Sequence, residues 1–204
     1  MQEHNFQCRK AMPSDDVVAI ARCLHLTDPY IYPKVCKNPI NRNWVEFVGS
    51  CMKMENNIFN IQHLSVILDS DAIVGVICVI PCGIKLGITD GIGNMSENFI
   101  NNLNPVIKGY FAPLIDESFS YNGYNLTNIC VDSDYRNKGL GHLLMSHCID
   151  MYGSQTIHLD VIASNKPAIN LYKRFGFEIS NEYYGYSGDS TELLCYHMIR
   201  LANK

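Results

Sequence analysis

A loop rich in glycine and positive charge stands between apolar segments, and it constrains the fold of this 204-residue chain more than any other feature. The β-favouring run Leu126–Val131 precedes the loop, and the apolar spacing after it predicts a helix over Gly139–Tyr152. A second β-favouring run, Thr156–Ile162, follows the helix. This order predicts a right-handed crossover between two parallel strands. The apolar face of the helix is predicted to consist of Leu140, Leu143, Leu144, Cys148 and Met151.

The loop has the composition of an anion-binding site. Backbone N–H groups and the positive end of the helix dipole lie where the helix begins. Gly139 and Gly141 have no Cβ atom, so a phosphate oxygen can approach the backbone closely. Arg136 and Lys138 add charge-assisted contacts. The alternative is an ordinary solvated loop. A dinucleotide-binding fingerprint is excluded because Leu144 stands where its third glycine belongs. A Walker loop is excluded because the sequence Gly-Lys-Ser/Thr is missing.

A second informative segment predicts a helix over Asn165–Phe175. Asn165 is placed to cap its start, Pro167 suits its first turn, and Gly176 suits a left-handed end. An ordinary well-formed helix with Tyr172 at its rim is the alternative reading. Apolar or aromatic residues recur at helical spacing at Ala168, Leu171, Tyr172 and Phe175.

The rest of the chain predicts a mixed sheet with helices on both faces. Ser14 is expected to cap the first helix, with Asp15 and Asp16 at the positive end of its dipole. The turn residues Asp69 to Asp71 predict a hairpin. The other predicted strands lie over Phe6–Arg9, over Leu64–Leu68 and Ile73–Ile80 in the hairpin, and over Phe177–Tyr184 and Leu193–Leu201 as the last two. The first helix is predicted to end at about His25, another to span Asn41–Lys53, and a further one to form pieces over Ser96–Ser118.

The two motifs together are far more specific than either one alone. Arg136-x-x-Gly139-x-Gly141, followed after one strand by Asn165-x-x-Ala168-x-x-Leu171-Tyr172-x-x-x-Gly176-Phe177, resembles the GNAT superfamily of N-acetyltransferases over about residues 126–180. The resemblance implies an α/β (α+β) fold, with a mixed, mostly antiparallel sheet whose central strands splay apart. It also implies one N-acetyltransferase domain over residues 1–204, in which about 82–124 is longer than the family's usual turn and is an insertion.

The resemblance further implies that acetyl-CoA is the acyl donor and lies between the splayed strands. An amine attacks the thioester carbonyl, and the phenol of Tyr172 protonates the departing thiolate, since a reference pKa of ~10 keeps a phenol protonated at neutral pH. The residues implied to bind acetyl-CoA are Ile129, Cys130 and Val131 through the strand backbone, Arg136, Asn137, Lys138, Gly139, Leu140 and Gly141 through the loop, and Asn165, Ala168 and Tyr172 on the later helix.

Asp160 is the best candidate for the general base that deprotonates the amine. It lies in an apolar strand five residues before Asn165, where the resemblance extends to members with a glutamate base. Aspartate is one methylene shorter, so a water relay is more plausible than direct contact. His158 lies on the same face by strand alternation and could assist. The alternative is that Asp160 is a structural polar residue near a strand end.

The sequence does not identify the acceptor, so three candidate functions stay open. A small amine or amino-acid-like compound is favoured by the long insertion, which could cap a pocket or form a homodimer contact. A protein N-terminus or lysine is the second alternative, and a noncatalytic acyl-CoA-binding module is the third. The resemblance implies acceptor-site walls at Thr27–Pro33 and in the insertion, with candidate contacts Tyr30, Tyr32, Tyr110, Phe111, Asp116 and Glu117.

Composition excludes several partner classes. With 16 basic and 20 acidic residues the chain has a net charge of −4, which argues against a nucleic-acid partner. The uncharged run Ala72–Ile84 is too short to span a membrane, and Met1–Asp16 does not resemble a signal peptide. Nine widely spaced cysteines without a CxxC motif predict reduced thiols, a cytoplasmic location and no metal.

Overall fold

In the computed structural model, residues 4–27, 42–55, 58–83, 122–187 and 190–202 are described. The strands are β1 (Phe6–Lys10), β2 (Leu64–Asp69), β3 (Ala72–Pro81), β4 (Tyr124–Val131), β5 (Ile157–Ile162), β6 (Glu178–Ser187) and β7 (Ser190–Arg200). The α-helices are α1 (Val17–His25), α2 (Arg42–Cys51), α3 (Leu140–Tyr152) and α4 (Lys166–Arg174). Short 3₁₀ helices lie at Ile61–His63 and Ser133–Tyr135.

The seven strands form one sheet in the order β1-β2-β3-β4-β5-β7-β6. The pairs β1–β2, β2–β3, β5–β7 and β6–β7 are antiparallel, whereas β4 and β5 are parallel. The predicted hairpin, the parallel crossover and the mixed, mostly antiparallel sheet are therefore confirmed.

Strand β4 pairs with β5 over only part of its length. The paired positions are Tyr124 with Ile157, Asn125 with His158 and Leu126 with Leu159. Strand β4 continues to Val131 beyond the last of these pairs. Its later residues therefore extend past the parallel ladder.

The chain divides into two compact units, and β3, β4 and α3 contribute to both. The first unit contains residues 1–79 and 127–150, and the second contains residues 80–126 and 151–204. A single domain with an insertion at about 82–124 stays a prediction, and most of that segment, with the helix predicted over Ser96–Ser118, lies outside the described residues.

The start of α1 in the first unit corrects the predicted cap. Asp16, and not Ser14, is the N-cap, since its Oδ1 accepts a hydrogen bond from the Val18 amide at 2.8 Å. Asp15 instead accepts hydrogen bonds from the Arg9 guanidinium at 2.6 and 2.8 Å. The predicted cap was wrong because Ser, Asp and Asp are all good caps and their spacing alone does not choose between them.

The core of the first unit lies between β2, β3 and the helices. Strand β3 is buried at eight consecutive positions, so both of its faces are covered. Ile20 and Leu24 of α1 are fully buried. The indole Nε1 of buried Trp44 in α2 donates to the carbonyl of Ala21 at 2.8 Å, which ties the second helix to the first.

Helix α3 confirms the predicted helix and corrects two positions of its apolar face: Met145, which the prediction left out, belongs to it, and Met151 does not. Leu144, Met145 and Cys148 are fully buried, whereas Met151 is 48% exposed. The prediction of Met151 was wrong because a 3.6-residue period carries the buried stripe from Cys148 to Tyr152, whose ring lies 4.5 Å from that of Tyr124.

The second unit has its core between α4 and the strands β5 and β7. Ile157, Leu159 and Met198 are fully buried there. Arg200 is also buried, and its guanidinium donates to the carbonyls of Phe175 and Gly153, each at 3.1 Å. These bonds fix the end of α4 and the turn after α3 to β7.

Among the described residues, no helix is long and apolar enough to cross a membrane. The eight cysteines in that part of the chain are free thiols, and no group of three or more histidine, cysteine or acidic side chains there is arranged to hold a metal ion.

Candidate active site

The predicted phosphate loop begins where β4 ends, and its first residues are firmly anchored. The Asp132 amide donates to the Val74 carbonyl of β3 at 2.9 Å, and the Asp132 carboxylate accepts from the Asp134 amide at 3.2 Å and pairs with Arg22 at 3.1 Å. Asp132 is buried, whereas residues 136–139 are exposed. The loop therefore has a fixed base and a solvent-facing rim.

The backbone conformation at the rim explains its glycine. Asn137 has a φ of 61° and Gly139 a φ of 79°, both in the left-handed region that disfavours most side chains. A Cβ atom added to Gly139 meets no other atom within 4 Å, so the space above this residue is open. An anion can approach the backbone here.

Helix α3 begins directly after this open space. The Gly139 carbonyl accepts from the Leu143 amide at 3.1 Å, so Gly139 occupies the N-cap position. First-turn amides of a helix, here including those of Leu140 and Gly141, have no intrahelical acceptor and carry the positive end of the dipole. Leu140 is buried and anchors this turn, which gives the amides a fixed direction.

Two cations lie on the loop. The Arg136 Nε donates to the Val131 carbonyl at 3.3 Å, which holds its guanidinium beside the end of β4. Lys138 Nζ lies 3.3 Å from Nε2 of His4 and 4.7 Å from the ring centre of Tyr135. Both side chains are attached near the rim, as a diphosphate-binding role requires.

The preceding strand residues alternate in burial, with Cys130 buried and Ile129 and Val131 half-buried. A hydrogen bond from the Cys23 thiol lowers the pKa of Cys130, and the charge of Arg136 acts in the same direction against burial. The predicted contribution of these three residues to acetyl-CoA binding is through their backbone and stays a prediction.

The helix motif is built as predicted. Asn165 is the N-cap of α4, and its Oδ1 accepts from the Ala168 amide at 3.2 Å. Gly176 has a φ of 83° and ends the helix. Tyr172 is 5% exposed, and its ring centre lies 6.0 Å from that of Phe177. The phenol therefore belongs to a buried part of α4.

The predicted base belongs to a hydrogen-bonded chain in the second unit. Asp160 and His197 are directly opposite each other on β5 and β7, and Oδ1 of Asp160 lies 2.8 Å from Nδ1 of His197. Nε2 of His197 lies 3.3 Å from Nδ1 of His158. Asp160 and His158 are thus brought together, as expected, but through a third side chain.

His197 is the residue that sequence reasoning missed. It lies in a predicted last strand, but its partner on β5 depends on the strand register, which the sequence does not reveal. Two polar residues, His197 and Arg200, interrupt the otherwise apolar run Leu193–Leu201, and His197 was the available signal. The proposed acceptor contacts Tyr30, Tyr32, Tyr110, Phe111, Asp116 and Glu117 lie outside the described residues.

Comparison with known families identifies the class. The model of the acetyltransferase (GNAT) family matches residues 41–177, which is more than half of the chain. The chain belongs to this family. The predicted resemblance is confirmed, and the matched range includes both the loop after β4 and the helix motif.

Two characterised relatives have different acceptors in their names. The ribosomal protein bS18-alanine N-acetyltransferase of Salmonella typhimurium is 36% identical over 98 residues, which cover 45% of this chain and 66% of the relative. The L-amino acid N-acetyltransferase of Escherichia coli K12 is 37% identical over 78 residues, covering 36% of this chain and 48% of the relative. The chain thus spans only part of the length of the curated relatives it matches.

A solved structure agrees over nearly the whole length. An N-acetyltransferase from Staphylococcus aureus Mu50 superposes with a TM-score of 0.63 at 18% identity, covering 95% of this chain and 99% of that chain. At this identity the likeness establishes the fold, and the predicted fold class is confirmed.

Proposed function

We propose that this protein transfers the acetyl group of acetyl-CoA to a primary amine of a small molecule, by direct attack in a ternary complex. The observation that carries the proposal is the loop after β4, where an open space lies above Gly139 at the positive end of α3. Backbone amides there, with Arg136 and Lys138, fit the two negative charges of a diphosphate. Acetyl-CoA supplies the thioester when it is bound.

The side chains of the second unit supply the proton transfers. Asp160 receives the proton that the ammonium form of the acceptor must lose before its nitrogen becomes nucleophilic. Tyr172 donates its phenolic proton to the departing sulfur, which is a far better leaving group as a thiol. Backbone amides near the end of β4 are proposed to stabilise the oxyanion that forms on the carbonyl oxygen.

A protein N-terminus is the second candidate acceptor. The named relatives favour it, since one set of them acetylates the alanine of a ribosomal protein. The length of the segment of residues 82–124 favours the small amine, because the family resemblance implies that this segment walls the acceptor site and restricts access to it. We place the reaction in the cytoplasm, where thiols stay reduced.

A thiol-release assay with acetyl-CoA distinguishes these acceptors. The panel contains small primary amines, amino acids, and peptides with different N-terminal residues. We expect release with at least one small amine and weaker release with the peptides. Preferential release with peptides supports the second candidate. No release with any acceptor contradicts the proposed enzymatic function.

A further inference from the structure

The imidazole rings of His197 and His158 form a continuous chain between two hydrogen-bond acceptors, the Asp160 carboxylate and the Asn122 carbonyl. At one end is the carboxylate of Asp160, 2.8 Å from Nδ1 of His197. At the other end Nε2 of His158 lies 3.4 Å from the carbonyl oxygen of Asn122. In the middle, Nε2 of His197 lies 3.3 Å from Nδ1 of His158. The chain therefore contains three gaps, and each needs one proton.

Counting protons shows that the neutral chain is one proton short. An ionised carboxylate and a backbone carbonyl only accept, and a neutral imidazole carries one N–H. Two neutral rings fill two of the three gaps, so two bare acceptors face each other in the third. One added proton completes all three hydrogen bonds. Because a buried polar contact without its proton is costly, the chain has a built-in affinity for that proton.

The environment determines where the proton enters. The side chains of Asp160 and His197 are 14% and 4% exposed, and residue His158 is 3% exposed, so the carboxylate is the accessible end. Burial lowers the pKa of His158 and keeps that ring neutral. The added charge therefore lies at the Asp160–His197 end, where the carboxylate compensates it.

In the described part of the protein, Cys195 and Tyr183 are two other titratable groups that lie near this chain. Cys195 precedes His197 on β7 by two residues, and burial, with the Asp160 charge, raises the pKa of its thiol to about 12. Tyr183 of β6 lies with its ring centre 6.5 Å from that of His197. The Cys195 thiol therefore stays protonated and neutral near pH 7.

We propose that Asp160, His197 and His158 act as one proton acceptor, which takes up through Asp160 the proton that the acceptor ammonium loses. This inference rests on the proposed function. It assigns a role to His197 and His158 as positioning residues that act through Asp160. A proton taken up by Asp160 can move on to His197, whose Nδ1 lies 2.8 Å from the carboxylate.

The step balances in atoms and charge. One proton leaves the ammonium for the chain, and the nitrogen lone pair forms the C–N bond while the C–S bond breaks. The sulfur takes the phenolic proton of Tyr172, and the second nitrogen proton restores the phenol. The chain then releases its proton to solvent. The net products are the acetylated amine, the thiol and one proton.

Proton uptake is tested without any acetyl transfer. In protein with ¹⁵N-labelled histidine, we expect His158 and His197 to change together with pH and to bind one proton between them. Replacing Asp160→Asn should shift this uptake by at least about one pH unit to lower pH, because the compensating charge is lost. Two independent titrations, or no shift in D160N, overturn the proposal.

Kinetics then test the role in the reaction. In the variant His197→Asn the side-chain amide still donates to Asp160 but carries no extra proton. We expect kcat/KM at pH 7 to fall by about 10²-fold with an unchanged KM for acetyl-CoA, and the loss to shrink as pH rises and the amine deprotonates by itself. His63→Gln, in the 3₁₀ helix before β2, should behave as wild type.

A failure of the proton relay can be distinguished from a failure of the proposed function. If the wild-type protein acetylates no amine of the panel, the proposed function fails, while the ¹⁵N titration still decides the proton count. If the wild type is active and H197N keeps the same rate and pH profile, the relay is wrong and the proposed function stands. Should H197N not fold, the wild-type titration and D160N decide alone.

Discussion

The backbone amide of Asp132 donates to the carbonyl of Val74 at 2.9 Å, so β3 holds the residue at which β4 ends and the predicted phosphate loop begins. The Asp132 side chain caps the 3₁₀ turn that follows. These two contacts fix the start of the loop within the first unit. We propose a diphosphate site at this loop, and a preorganised site loses little entropy on binding.

The open space above Gly139 leads to the first prediction. Replacing Gly139→Val should abolish the rise in melting temperature that acetyl-CoA causes, because the side chain fills the space an anion would occupy. The left-handed φ of 79° adds a strain of about 1–2 kcal/mol. The measurement is thermal unfolding with and without acetyl-CoA.

Gly176→Val is the matched control for that prediction. Gly176 has nearly the same φ, 83°, and ends α4 instead of lying on the loop. It should lose a similar amount of stability and keep the acetyl-CoA-dependent rise. A rise that persists in G139V contradicts the loop assignment.

The two loop cations lead to the second prediction. Arg136→Ala and Lys138→Ala should each weaken acetyl-CoA binding by about fivefold, and the effect should shrink in high salt, since exposed charges are screened. Titration calorimetry at two ionic strengths measures this. Lys173→Ala, an exposed lysine on α4, should bind acetyl-CoA like the wild type; equal weakening there points to a general charge effect.

Tyr172 leads to the third prediction. Tyr172→Phe should lower kcat by about 10²-fold or more, with little change in acetyl-CoA affinity, because only the proton donor is removed. Steady-state kinetics and calorimetry separate the two quantities. The control is Tyr152→Phe, whose ring packs against Tyr124 and has no proposed chemical role. An unchanged kcat in Y172F means that another group or water protonates the sulfur.

The ion pair between Arg9 and Asp15 leads to a prediction about stability. A hydrogen bond from Arg9 holds the pKa of Asp15 below its usual range. A lowered folded-state pKa stabilises the fold above the unfolded-state pKa of about 3.9, and this contribution is lost as pH falls through the folded value. Asp15→Asn should therefore lose about 1 kcal/mol at pH 7 and little at pH 2.

Chemical denaturation at the two pH values measures this difference. Asp71→Asn, in the exposed turn between β2 and β3, provides the control and should be neutral at both. An equal loss for D15N at pH 2 and pH 7 contradicts the ionic origin of the effect.

Local signals predicted the elements well, because a cap, a turn or an apolar period acts over a few residues. Asn165 and Gly176 were correctly placed at the ends of α4. The errors arose where neighbours compete or where position depends on the rest of the fold: Asp16 caps α1 in place of Ser14, and Met151 lies beyond the buried stripe of α3.

The same distinction between local and long-range information applies to the residues of the candidate site. The predicted phosphate loop and the helix motif are each a contiguous stretch of sequence, so their patterns are visible there. The pairing of Asp160 with His197 joins residues 37 positions apart and depends on the register of β5 with β7. No local rule contains that information, and His197 therefore emerges only from the structure.

Calorimetric titration with acetyl-CoA and with S-acetylpantetheine, which lacks the diphosphate and the nucleotide, tests the central claim most directly. We predict one acetyl-CoA bound per chain, with most of that affinity lost for S-acetylpantetheine and in the variant G139V. Equal affinity for the two thioesters, or no acetyl-CoA binding at all, would contradict the assignment of the loop after β4 as a diphosphate site.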